Sequence, residues 1–229
     1  MTVSEVLKLL ESKQDIRGID HFNKLKLKGL YSFGIGVTKL RAIAKSIKTN
    51  HELAMELVET ECFDAIIISS MIADPKKYTR KDAEKQLKRN GNWLMTSLWV
   101  GDLLYRTSYA DDLIAEWLDD KLAKKRSIAW NLIYCKGQEA KYGNDEEYKR
   151  LLKKIEKELQ KEDNFVKDAM NNALFTIGKR NLELNQLALK VAQKIGRVAV
   201  DYGDNSCEAM DCVKNLSSPY LQNKLTVKK

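Results

Sequence analysis

Residues Cys62–Ala73 read CFDAIIISSMIA, and how this stretch is read decides the fold. Three successive β-branched residues, Ile66, Ile67 and Ile68, would suit a buried strand as well as a buried helix. Its length, its helical neighbours and the Asp74-Pro75 stop behind it predict instead a helix buried on every side. Working outward, each flank shows apolar residues at a spacing of three and four behind an N-cap residue. Asn50 precedes Leu53, Leu57 and Val58; Thr79 precedes Ala83 and Leu87; Thr38 precedes Leu40, Ile43, Ala44 and Ile47. Thr2 with Glu5 forms a capping box ahead of Val6, Leu7 and Leu10. Asn144 with Glu147 opens a stripe of Tyr148, Leu151, Leu152, Ile155 and Leu159, and Asn181 opens one of Leu184, Leu187, Ala188, Val191, Ala192 and Ile195.

The pattern predicts about eleven helices of roughly 9 to 18 residues, or about five units of ~40 to 47 residues. The expected fold is all-α, a solenoid of stacked antiparallel helix pairs forming a single domain over residues 1–229; exact self-similarity between units is weak, so a compact irregular α-domain is the alternative. Two longer glycine-bearing connections interrupt it, Lys28–Val37 and Gly137–Gly143. Composition agrees. Only two prolines, Pro75 and Pro219, and 11 glycines occur in 229 residues, too few for a sandwich or barrel with many tight turns.

A net charge of +8 favours a polyanionic partner. Between Asp74 and Asn90 seven cations face three anions, and Lys81, Lys85, Lys88 and Arg89 share one side of a helix. A second group, Lys121, Lys124, Lys125 and Arg126, follows the acidic run Asp111, Asp112, Glu116, Asp119 and Asp120. Either group alone reads as a solvated surface with local charge pairs; on successive helices they suit a phosphate backbone. The longest apolar stretch, Ala65–Ala73, is too short to span a membrane, and Glu5 and Glu11 interrupt any signal core, so a cytoplasmic protein is expected. Cys62, Cys135, Cys207 and Cys212 lack C-x-x-C spacing and read as reduced thiols. His21 and His51 sit in helix-start contexts and read as structural or surface residues. No phosphate loop, metal-ligand cluster or cofactor motif appears.

Several stretches carry a resemblance: FGIGVTKLRAIAK (Phe33–Lys45), NHELAMELVETECFDAIIISSMIADPKK (Asn50–Lys77), NWLMTSLWVGDLLYRTSYA (Asn92–Ala110) and NFVKDAMNNALFTIGKRNLELN (Asn164–Asn185), with a GDNSCEAMDC tail (Gly203–Cys212). In collinear order they resemble the HEAT-like glycosylases of the DNA alkylation repair family, the AlkD-like proteins. The resemblance implies a HEAT-like repeat solenoid of antiparallel helix pairs and hydrolysis of the N-glycosidic bond of cationic N3- or N7-alkylated purines in double-stranded DNA. There a fixed carboxylate stabilises the developing oxocarbenium ion and tryptophan faces suit the cationic base.

The family's aspartate lies four residues after its first tryptophan. Trp93 matches that tryptophan, but Ser97 stands at the aspartate position, and Leu94 where a second acid is common. Asn172 replaces the second tryptophan and Phe175 a frequent arginine. Arg126 matches an arginine that approaches the DNA backbone. A serine is neutral at pH 7 and cannot supply the charge. Asp102, about 140° further round the helix than Ser97, is a poor substitute. Asp168, one turn before Asn172, is the candidate for a relocated carboxylate. The resulting candidates are Trp93, Ser97, Asp168 and Asn172 for chemistry, and Arg126, Lys125, Lys124, Lys81, Lys85 and Lys88 for DNA, on a monomer needing neither cofactor nor membrane. Three functions stay open: excision of alkylated bases, binding of DNA structure or damage without excision, and a protein-interaction scaffold.

Overall fold

The computed structural model describes residues 1–90, 92–139, 142–204 and 207–227; parts of the Gly137–Gly143 connection and of the Gly203–Cys212 tail lie outside them. Among the described residues there are fourteen α-helices, two short 3-10 turns and no strand. The chain forms two compact units, residues 1–110 and 111–229.

The first unit contains α1 (Val3–Glu11), α2 (Ile16–Lys24), α3 (Val37–Ile47), α4 (His51–Leu57), α5 (Phe63–Ile72), α6 (Arg80–Arg89) and α7 (Trp93–Asp102). The decisive stretch is helical. Every residue of α5 except Met71 is buried, and it packs on α1, α3, α4 and α7. It stops at Ala73, whose backbone turns extended just before Asp74-Pro75. Thr2 and Thr79 close capping boxes with Glu5 and Asp82, and Asn50 and Asn92 cap α4 and α7. Two local expectations change. Gly36, not Thr38, is the N-cap of α3, so Thr38 lies within the first turn. His21 sits in the last turn of α2 rather than at a helix start.

The Lys28–Val37 connection is fixed by a buried carboxylate. Asp64, 1% exposed at the start of α5, accepts hydrogen bonds from Ser32 Oγ at 2.7 Å, Phe33 N–H at 2.7 Å and Ile35 N–H at 3.1 Å. Burial raises its pKa even though these donors favour the anion. A single parallel bridge joins Tyr31 to Cys62. Beneath the connection, a Cβ on Gly18 would lie 1.9 Å from the Gly34 carbonyl oxygen, and Gly34 itself has φ +74°. No larger residue fits this backbone crossing.

The second unit contains α8 (Ala110–Trp117), α9 (Ala123–Lys136), α10 (Asp145–Glu158), α11 (Asn164–Gly178), α12 (Leu182–Ile195), α13 (Cys212–Leu216) and α14 (Pro219–Val227), with α8 starting at the boundary residue. Asn144 and Asn181 cap α10 and α12. At the centre is α11, packed on α9, α10, α12 and α13. Ser127 Oγ donates to the Phe165 carbonyl at 3.2 Å at one end of the α9–α11 contact, and Arg180 Nη1 donates to the Gly137 carbonyl at 2.8 Å at the other. The two helices therefore run parallel, as helices one repeat apart do. Residues 196–204 and 207–211 then follow α11 as a strap. Asp201 N–H donates to Asn164 Oδ1 at 2.7 Å, and Asn171 Nδ2 donates to the Met210 carbonyl at 2.8 Å. The periodicity undercounts the helices in part because α13 has only five residues and the apolar anchors of α13 and α14, Leu216, Leu221 and Leu225, are few.

Candidate nucleic-acid interface

In the first unit, Trp93 and Ser97 occupy successive turns of α7 and both are half-buried. A buried polar chain holds this helix. Trp99 Nε1 donates to Tyr78 Oη at 3.2 Å, Tyr78 donates to Gln86 Oε1 at 2.8 Å, and Gln86 Nε2 donates to Ser70 Oγ at 3.4 Å. α5, α6 and α7 are thereby tied together, and a satisfied buried network of this kind favours one arrangement over its neighbours. Ser97 Oγ donates back to the Leu94 carbonyl at 3.2 Å, so its hydroxyl is engaged within its own helix. Asp102, the carboxylate of α7, is gripped by both terminal nitrogens of Arg41 at 2.6 and 3.1 Å.

The cations of α6 divide. Lys85 pairs with Glu59 at 2.9 Å, and Arg89 donates to the Thr60 carbonyl at 2.8 Å. Lys81 and Lys88 are exposed on the same helix, with no carboxylate within ion-pair distance among the described residues.

In the second unit, Lys124 is half-buried and burial lowers its pKa. Lys125 pairs with Asp120 at 3.0 Å and lies 5.6 Å over the Trp117 ring. Arg126 is turned inward. Its guanidinium donates to Glu162 at 2.6 and 2.9 Å and to the carbonyls of Asp120 and Lys121 at 2.9 and 3.1 Å, and its side chain is 18% exposed. The Glu162 carboxylate raises its pKa. This arginine, expected at a phosphate, already holds an anion of the protein's own.

Asn164, Asp168, Asn172 and Phe175 of α11 and its C-cap Lys179 follow one another at spacings of four and three residues and are all half-buried. Asp168 accepts a hydrogen bond from Tyr202 Oη of the strap at 2.6 Å. Burial raises the pKa of this carboxyl, while the bonds from Tyr202 and Asn172 pull it down. Further along, Lys179 Nζ lies 4.8 Å from the Phe175 ring centre.

Trp93 and Ser97 thus lie together in one unit, and Asp168 and Asn172 in the other. The sequence reading missed Arg41, Glu162 and Tyr202, each of which occupies a candidate's charge or hydrogen-bonding capacity. They lie 61, 36 and 34 residues from their partners, so no local spacing could have announced them. Among the described residues no three His, Cys, Asp or Glu side chains are grouped to hold a metal, and no helix is long and apolar enough to cross a membrane.

Known proteins are similar to this chain in sequence or in fold. Uncharacterised proteins of Listeria innocua serovar 6a and Listeria monocytogenes serovar 1/2a are 26% and 25% identical over 185 residues, covering 80% of this chain and 80% of each of theirs. A solved structure matches 98% of this chain and 96% of its own at a TM-score of 0.84 and 22% identity, which establishes likeness of fold. It is described as a new family of proteins related to the HEAT-like repeat DNA glycosylases with affinity for branched DNA structures. The model of the DNA alkylation repair enzyme family matches residues 3–203. With nearly the whole chain matched and the helical repeat in place, this protein belongs to the DNA alkylation repair enzyme family.

Proposed function

We propose that this protein binds DNA by its structure and does not excise bases. The observation that carries the reading is the state of the carboxylates. Position 97 offers a neutral hydroxyl bonded within its own helix, Asp102 is neutralised by Arg41, and Asp168 is covered by Tyr202. Stabilising an oxocarbenium ion needs a fixed negative charge aimed at the sugar. None of these three groups is disposed to supply one.

DNA remains the partner that fits best. The chain carries a net +8, exposes Lys81 and Lys88 on one helix, and shares its fold with a protein that has affinity for branched DNA. Contacts of this kind position a protein on the phosphate backbone without reading sequence. Branched DNA is the substrate class in which shape can replace sequence as the basis of choice.

Two measurements on the full chain test the reading. Incubation with methylated duplex should release no 3-methyladenine or 7-methylguanine above background. Titration of a four-way junction and a linear duplex of matched sequence should show tighter binding to the junction. Release of methylpurine by the wild-type protein would overturn the non-excising part. Equal affinity for junction and duplex would overturn the structural preference. Ser97→Asp is the comparator: release that appears only in this variant places the deficit at position 97.

A further inference from the structure

We propose that Tyr31 is a stacking platform for an unpaired nucleobase at a DNA branch point, an inference that rests on the branched-DNA reading above. The ring is large, apolar and 44% exposed, and Phe33 braces it edge-on at 5.5 Å and 89°. Ile16, 74% exposed, follows Asp15, whose N–H donates to the Phe33 carbonyl at 2.9 Å. Isolated exposed apolar residues need no explanation. Here an aliphatic and an aromatic residue are exposed on two segments that are hydrogen-bonded to each other.

The support beneath the ring is unusually complete. Tyr31 N–H donates to the Glu61 carbonyl at 3.0 Å, and Phe63 N–H donates to the Tyr31 carbonyl at 2.8 Å. The three donors gathered by Asp64 fix the next turn of chain, and the Gly18–Gly34 crossing fixes it from below. None of these backbone contacts needs an aromatic side chain at position 31. The side chain is anchored as well, its hydroxyl hydrogen-bonded with the buried Cys62 thiol while the residue stays 44% exposed. A ring ordered before its ligand arrives loses little further freedom on binding.

Charge selects the ligand. Residues 24–39 include four lysines and no acidic residue, and Lys24, Lys26 and Lys28 are exposed just ahead of the ring. The acidic neighbours are Glu61, exposed beside the bridge, and Asp15, which pairs with Lys39 at 3.9 Å. Lys26 has φ +51° and Gly29 φ +72°, so two residues in left-handed conformations turn the basic segment tightly into Leu30 and Tyr31. Cations for the phosphates beside an aromatic face for the base are the two components of single-strand recognition. A base within a continuous duplex offers no free face; a base at a fork or junction does.

The test places 2-aminopurine at the branch nucleotide of a forked duplex and, as control, inside a linear duplex of the same sequence. Wild-type protein is expected to quench the fork signal and leave the linear one unchanged. Tyr31→Ala and Tyr31→Leu should abolish the quench and weaken fork binding about five- to a hundredfold, the range for losing one base–aromatic stack. Their linear-duplex affinity should stay within about twofold of wild type. Tyr31→Phe should behave as wild type, because the ring and not the hydroxyl does the stacking. Thermal unfolding checks that each variant is folded, and the leucine variant keeps the apolar bulk that alanine removes. If wild type prefers the fork but Tyr31→Leu retains both quench and affinity, this inference alone fails. It also fails if fork and duplex binding fall in parallel. If wild type shows no preference for the fork, the branched-DNA reading fails and this inference with it.

Discussion

Asp64 is a carboxylate held by three donors in a place where water does not reach. Replacing it by asparagine keeps the shape but turns an NH2 group toward Ser32, Phe33 or Ile35, all of which donate. Asp64→Asn should therefore cost about 1–3 kcal/mol, read from urea unfolding. The sign of its pH dependence follows from burial. Because the folded pKa lies above the unfolded one, the site's contribution is full below the unfolded value and is lost as pH rises through the folded value. The stability gap between wild type and Asp64→Asn should narrow from acid toward neutral pH. Sequence showed this residue only as one polar letter in an apolar run. What it does depends on a hydroxyl and two backbone N–H groups 29 to 32 positions away, which no window on the sequence contains. Arg126 teaches the same lesson from the other side. Its identity was legible, but whether its charge was available depended on Glu162, in the connection between α10 and α11.

Helices were legible because their signals are local. A capping side chain and the apolar spacing behind it lie within one or two turns, so Asn50, Thr79, Asn144 and Asn181 announced α4, α6, α10 and α12. Thr38 is not the cap because Gly36, itself extended, starts the helix two residues earlier. At this scale Thr79→Ala should cost about 1 kcal/mol, since Thr79 Oγ1 accepts from Asp82 N–H at 3.2 Å and the box is completed by the Asp82 carboxylate at 2.9 Å from Thr79 N–H. Chemical denaturation measures it. The same variant should leave α7 in place, because α7 is held by the Tyr78–Gln86–Trp99 chain rather than by the cap.

For the molecule as a whole, charge rather than shape gives the quantitative test. DNA affinity should fall linearly with the logarithm of salt concentration, with a slope of about 0.9 for each phosphate neutralised. Lys81→Ala with Lys88→Ala should reduce that slope by up to ~1.8 if each lysine meets one phosphate. Arg126→Ala should change it little, because that charge is already paired with Glu162. Fluorescence anisotropy over a salt series separates the two outcomes: a larger slope change for Arg126→Ala would mean that its ion pair opens on DNA. α5 also has a consequence for how the first unit is made. α3 and α4, which cover two of its sides, emerge from the ribosome before it, whereas α7 follows later. A nascent chain that has reached Ala73 thus carries a helix with no polar face and one wall still missing. That interval is when the growing polypeptide is most open to capture by a chaperone or by another apolar chain.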